Sequence, residues 1–261
     1  MKKRILKISA FVVAVILIVG VALFANALVG NPISKMIAKH TAEEHLAEVY
    51  ADKDFVIERV TYSFKDGYYH AFLYSPSSID SEFTLAINMW GRLQYDTYED
   101  RVLAGWNTAD RISRDYRAAV DKVLDSQAFP YNEHIGYGDF DFYPREHLEE
   151  YTVPEYALII DDLTLDAFYD VNELGAKHGM LTIYIEDNTV TIERLSEILL
   201  DVKRIFDDAG VKFYMIDCVL EYPKTEDGTE RDGRVEVLEF LYADIYEDGM
   251  FERVKGAAIV K

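Results

Sequence analysis

The chain has 261 residues, half of them apolar and 28% charged, which suffices for a packed core in one or two domains and excludes a wholly disordered polymer. With 47 acidic residues against 27 Lys plus Arg and a formal net charge of -20, it lacks the clustered cations by which proteins hold nucleic acid through its phosphates. A single cysteine excludes a disulfide within the chain and a zinc or iron–sulfur centre built from thiolates.

Lys2, Lys3, Arg4 and Lys7 precede a run of 22 residues, 8–29, that carries no charge. A helix of that length, at about 1.5 Å per residue, reaches roughly 33 Å and can cross a hydrocarbon core of about 30 Å. The cations before the run outnumber Lys35 and Lys39 close behind it, which places the N-terminus in the cytoplasm and everything from about Asn31 onward outside. Residues 1–30 therefore read as a single-pass transmembrane anchor in the cell membrane. The alternative is a cleaved signal peptide with Ala25-Asn26-Ala27 as its processing site. The retained anchor is favoured because the apolar run continues through Ala27, Leu28 and Val29. Without residues 1–29 the chain holds 23 cations against 47 acids, a surface that resists aggregation.

Residues 34–50 space their apolar positions three and four apart and predict a helix. Residues 56–64 alternate, with Val56, Val60, Tyr62 and Phe64 on one side and Arg59, Thr61 and Ser63 on the other, the pattern of a half-buried strand. Asp66-Gly67 signals a two-residue hairpin turn into a strand over 68–74, and counting outward pairs Phe64 with Tyr69, Tyr62 with Ala71 and Val60 with Leu73. Strands follow at 83–90 and 92–95, separated by Gly91. Thr97 with Asp100 reads as a capping box that opens a helix to about Leu124.

Residues 127–154 have a different texture, with Pro130, Gly136, Gly138, Pro144 and several aromatics and no clear period, and read as a linker that lies against one or both domains. Beyond it come an apolar strand at 156–160, a helix at 165–177, a strand at 180–185 and a helix capped by Thr191 and stopped by Gly210. Strands at 212–221 and 235–242 and a short helix from Asp244 complete the pattern. The expected architecture is α+β and α/β: the anchor (1–30), a helix–antiparallel sheet–helix domain (31–126), the linker (127–154), and a β-α-β-α-β-β domain (155–261) with a mixed, largely parallel sheet.

Several phrases carry a family resemblance: Gly30-Asn31-Pro32-Ile33-Ser34 behind the apolar segment, Tyr50-Ala51-Asp52-Lys53-Asp54-Phe55, Phe64-Lys65-Asp66-Gly67, Tyr98-Glu99-Asp100 and Gly105-Trp106-Asn107-Thr108. With the order of elements they make the chain resemble the YfjL-like family of Gram-positive bacterial membrane-anchored proteins over nearly its whole length. The resemblance implies an anchor and two small α/β-type domains, and supplies no catalytic residues.

The residues themselves offer little chemistry. His40 and His45 are five apart, off a shared helix face, and H-E-x-x-H is absent. His70 is expected on the polar side of the hairpin opposite Ser63, with His134, His147 and His178 at exposed positions. G-x-S-x-G, G-x-x-x-x-G-K-[ST] and G-x-G-x-x-G motifs are absent, and Cys218 alternates with apolar neighbours as a buried hydrophobe would. Nineteen tyrosines suit a carbohydrate or peptide platform, and equally suit strands and interfaces.

The best acidic cluster is Asp161 and Asp162 with Glu186 and Asp187, which follow the first two strands of the second domain. Parallel neighbours would gather all four at the carboxyl edge of the sheet, where open α/β folds take ligands and where calcium or magnesium would bind. Capping of the helices that follow accounts for the same residues without a metal. The expectation is a membrane-anchored extracytoplasmic module that binds a protein, peptide or envelope component without catalysis and without a cofactor. The alternatives are a metal-dependent enzyme on those carboxylates and a structural partner of another membrane protein.

Overall fold

The computed structural model describes residues 2–150, 152–223 and 233–261, which divide between Asn107 and Thr108 into two compact units.

The first unit begins with α1 (Lys2–Val29), one helix long and apolar enough to cross a membrane, whose apolar stretch the rest of the chain leaves unburied. Asn31 ends the break that follows: its side chain accepts the Ser34 amide, and Pro32 opens α2 (Pro32–Val49), where its missing N–H costs nothing. A four-stranded antiparallel sheet runs in the order β1 (Val56–Ser63), β2 (Tyr68–Tyr74), β3 (Phe83–Ile87), β4 (Leu93–Asp96). One face carries Val60, Tyr69, Ala71, Leu73, Leu85 and Ile87, packed with Ala38 and Ala42 of α2. The small alanines let the helix approach the sheet closely.

The hairpin register differs from the expected one by two residues. Tyr62 pairs with Tyr69 and Val60 with Ala71, because the chain turns over residues 64–67, with the Gly67 amide bonded to the Ser63 carbonyl at 2.9 Å. A shift of two keeps every side chain on its expected face, since strand side chains alternate with period two. The expected single helix over 97–124 is interrupted. A π turn at Glu99–Leu103 is followed by Gly105 at φ +80°, and α3 (Trp106–Leu124) starts only there. Thr97 caps no helix; its hydroxyl oxygen accepts the Thr84 amide at 2.8 Å.

In the second unit, α3 contributes Ile112, Tyr116, Val120 and Val123 to the core. The helix expected to close the first domain thus belongs, from Thr108, to the second, because an amphipathic stripe shows that a face is buried and not which core buries it. The expected linker holds β5 (Asn132–Asp139), β6 (Phe142–Tyr143) and the short α4 (His147–Glu150). Gly136 and Gly138, read as turn residues, are packing residues: a Cβ would lie 2.5 Å from Leu124 Cδ1 at the first and 2.5 Å from Val120 Cγ2 at the second. Their absence of a side chain lets α3 close on the strand.

The expected apolar strand at 156–160 shrinks to β7 (Leu158–Ile159), which pairs with β6 outside the main sheet and passes into a 3₁₀ turn at Ile160–Asp162. Asp170 caps α5 (Val171–His178) by accepting the Asn172 and Glu173 amides, so this helix begins six residues later than expected. Then follow β8 (Met180–Glu186), α6 (Ile192–Ala209) between the Thr191 cap and Gly210 at φ +72°, β9 (Met215–Glu221), β10 (Arg234–Leu241), a 3₁₀ turn at Tyr242–Asp244, α7 (Met250–Ala257) and β11 (Ile259–Val260). Most of the polar loop expected between β9 and β10, residues 224–232, lies outside the described residues.

The sheet order is β11-β10-β9-β8-β5. It is mixed, as expected, but its parallel part is the β8–β9 pair that α6 bridges, and β5, β10 and β11 join antiparallel. β5 takes the place beside β8 that the apolar run at 156–160 was expected to fill. Leu181, Ile183, Ile185, Ile216, Cys218 and Leu220 form the core with Leu195, Ile198, Leu199, Val202 and Phe206 of α6. Burial pushes the Cys218 thiol up to about 12, in keeping with a small buried hydrophobe.

Candidate functional site

The face of the first sheet turned away from α2 carries polar and aromatic side chains. Register places Thr61, His70, Ala86 and Tyr95 in one row across the four strands, and Arg59, Phe72 and Thr84 in the next. His70 and Tyr95 of the first row and Arg59, Phe72 and Thr84 of the second floor a groove of about 710 Å³, walled by Glu58, Tyr74, Glu82, Arg101 and Asn107. Its polar groups are held in place by one another. The Arg59 guanidinium stands 4.1 Å above the centre of the Phe72 ring and pairs with Glu58. Buried Asn107 donates to the carbonyls of Asp80 (2.8 Å) and Glu82 (2.6 Å) and accepts Arg101 Nε at 3.1 Å, which fixes the second cation of the groove.

His70 pairs through Nε2 with Asp66 at 2.8 Å, and its ring lies 6.2 Å from that of Tyr95. Burial opposes the charge on Asp66, but hydrogen bonds from the Tyr68 amide, His70 and Ser63 outweigh it and hold the carboxyl below its ordinary value. An ionised Asp66 makes His70 the donor in that pair. Burial, then the charge of Asp66 and the neighbouring Tyr68, push the Tyr95 phenol up, so it stays a neutral donor and acceptor. His70 faces Thr61 rather than Ser63, a consequence of the two-residue register shift.

The four carboxylates, which parallel neighbouring strands would have gathered at one sheet edge, are not brought together there. Asp161 and Asp162 follow β7 in the two-stranded sheet, where Asp161 accepts the Arg145 amide at 2.7 Å and Asp162 pairs with the Arg145 guanidinium. Glu186 ends β8 in the five-stranded sheet and accepts Asn132 Nδ2 at 2.8 Å. Asp187 accepts the Thr189 amide at 2.8 Å and Arg194 Nε at 2.9 Å. Burial opposes its charge, and these bonds together hold it below the ordinary range. Capping does not account for Asp187 either, since Thr191 caps α6. Among the described residues, no group of three or more His, Cys, Asp or Glu is placed to hold a metal ion.

Acidic groups instead collect at the other edge of the second sheet. Asp139, Asp141, Asp217 and Glu239 line a pocket of about 330 Å³ with Tyr137, Thr182 and Tyr156, at the amino ends of β8 and β9. Glu239 sits in a bulge of β10 at φ +51°, its amide donated to Asp217 Oδ1 at 2.6 Å. Burial first, then the charges of Asp139 and Glu239, push the Asp141 carboxyl up. Asp139 and Asp141 fall in the stretch read as a linker, and the bulge has no sequence signature. The groove was partly legible, since Arg59 and His70 already lie on the polar side of the hairpin.

Fold and groove together define a two-domain α+β protein behind an apolar helix. Residues 3–97 match the model of the YfjL-like N-terminal domain and residues 115–255 that of the YfjL-like C-terminal domain. The chain belongs to the YfjL-like family. The boundary at Asn107 falls between the two matched segments. No curated protein and no solved structure matches the chain.

Proposed function

We propose that the chain is a single-pass membrane protein with its N-terminus in the cytoplasm and both domains outside, and that it acts as a non-catalytic module which binds a peptide segment in the groove of the first domain. The cations ahead of α1 and the uncharged length of that helix support the anchoring. The observation that carries the binding reading is the groove floor, where a stacked Arg59–Phe72 pair, Tyr95, and the fixed cation Arg101 stand near Glu58 and Glu82. Alternating charge and aromatic surface in a channel of this size suits a peptide, which presents the same alternation along an extended backbone. The hydrogen-bonding groups of the groove hold one another, as a binding surface requires, and stand ready to orient a guest.

Selection of a displayed peptide library on the full chain in lipid nanodiscs tests the groove. Enriched peptides are expected to lose binding to Arg59→Glu and to Phe72→Ala, and enrichment indifferent to both substitutions would remove the groove from the account. Turnover above blank in a hydrolase panel would overturn the non-catalytic reading. Protease added to intact protoplasts should degrade both domains and leave a small membrane fragment. Mature protein beginning at Leu28 in the medium would show a cleaved signal peptide instead.

A further inference from the structure

The antiparallel order of β1 to β4 brings the β1–β2 turn (residues 64–67) and the β3–β4 turn (88–92) to one end of the first sheet. The junction of α1 and α2 is fastened to that same end. Tyr62 and Tyr69, the pair beside the first turn, receive it: the Tyr62 hydroxyl donates to the Ala27 carbonyl at 3.0 Å, and the Tyr69 hydroxyl accepts the Asn31 amide at 2.8 Å. Ile37 of α2 lies against the second turn, where a Cβ on Gly91 would stand 2.6 Å from its Cγ2.

Each of these three converging segments shows solvent a large apolar side chain: Ile33 is 71% exposed, Phe64 65% and Trp90 76%. Apolar side chains gathered at one end of a small domain mark an interaction surface. The charge there is also out of keeping with the chain. Residues 30–37, 64–67 and 88–92 carry Lys35, Lys65 and Arg92 against Asp66 alone, in a protein of net charge -20. Asp66 is itself paired with His70.

We infer that this end of the first domain is a second membrane contact, in which Trp90, Phe64 and Ile33 enter the interfacial layer of the bilayer and Lys35, Lys65 and Arg92 meet anionic headgroups. The inference rests on α1 being a membrane anchor, as proposed above. The apolar stretch of α1 is unburied by the chain and its carboxyl end is fastened here, so a bilayer that takes α1 begins where these side chains stand. Tryptophan favours the water–hydrocarbon boundary, and cations close to an anionic surface are drawn to it.

The test uses the full chain in vesicles of phosphatidylcholine and phosphatidylglycerol, with and without bromine high on the acyl chains, read by flotation and by tryptophan emission. The chain should float with the vesicles, and bromine should quench its emission. Trp90→Phe should still float and lose most of that quenching, Trp106 reporting the remainder. Combined Lys35→Glu, Lys65→Glu and Arg92→Glu substitution should weaken the quenching in the same vesicles, and unchanged quenching would overturn the headgroup contact. A chain that floats with Trp90 unquenched overturns the docking and leaves the anchor standing. A chain that does not float overturns the anchor, and the docking with it.

Discussion

The hydroxyl of Tyr116 donates to the backbone carbonyl of Lys212 at 2.9 Å, joining α3 to the segment that leads into β9 across 96 residues of sequence. Tyr116 is fully buried, and the bond gives its hydroxyl the partner a buried polar group needs. Tyr116→Phe should lower the stability of the second domain by about 1–2 kcal/mol, and Tyr116→Ala by roughly 3–5 kcal/mol through the cavity it leaves. Burial pushes this phenol well above its ordinary value. The unfolded chain ionises first, so the contribution is full below about pH 10 and is lost as the pH rises beyond it. Urea titrations of parent and Tyr116→Phe should therefore converge at alkaline pH, and a constant difference would contradict the assignment.

Gly30 joins α1 to the first domain at φ +68°, and a Cβ there would meet Tyr62 Cγ and the Tyr69 hydroxyl, each at 2.7 Å. Gly30→Ala combines a left-handed backbone with a clash against two packed rings, and should destabilise the first domain by roughly 1–3 kcal/mol. Thermal unfolding in detergent should show the loss, and an unchanged midpoint would mean that the joint is looser than the packing implies.

Asp207 gathers Lys212 Nζ at 2.5 Å and the Tyr242 hydroxyl at 2.8 Å. Burial opposes its charge, but those hydrogen bonds and the charges of Lys212 and Lys203 hold the carboxyl below its ordinary value. A depressed folded value contributes stability that is present above about pH 4 and lost as the pH falls through the folded value. The group is partly open to solvent, which screens the pair, so Asp207→Asn should cost about 0.5–1 kcal/mol at neutral pH. The difference between variant and parent should shrink in acid, and a difference that grows there would reverse the sign argued.

Asp161 and Asp162, in the turn after β7, are bound to Arg145, while Glu186 at the end of β8 is bound to Asn132 and Asp187 just past it to Arg194. Calorimetric titration of the full chain with calcium or magnesium should give no saturable heat that depends on them. Saturable binding removed by Asp162→Asn together with Asp187→Asn would restore the shared site.

The groove shows how far a candidate site can be traced along a chain. Alternation sent Arg59 and His70 to the open face, and the two-residue error in register left that face unchanged. What alternation could not show was their company. Arg101 and Asn107 arrive from the interrupted segment after β4, and Asn107 is held by carbonyls of residues 80 and 82. The acidic pocket was hidden more fully, since Asp139 and Asp141 lie beside glycines that looked like turn residues and Glu239 stands in a bulge.

Local chemistry was decided by the amino-acid sequence itself: the uncharged run of α1, the Thr191 and Gly210 helix boundaries, and the alternation of β1 and β2 all follow from forces acting within a few residues. Sheet membership was decided only in three dimensions. The apolar run at 156–160 carries the signature of a central strand, yet β5 occupies the place beside β8, because Gly136 and Gly138 let α3 lie against that strand. Likewise the stripe of α3 declares a buried face, while the choice of core was left to Tyr116 and its partners far along the chain. Periodicity records that a side chain is buried; which surface buries it depends on competition among faces that meet only when the chain has folded.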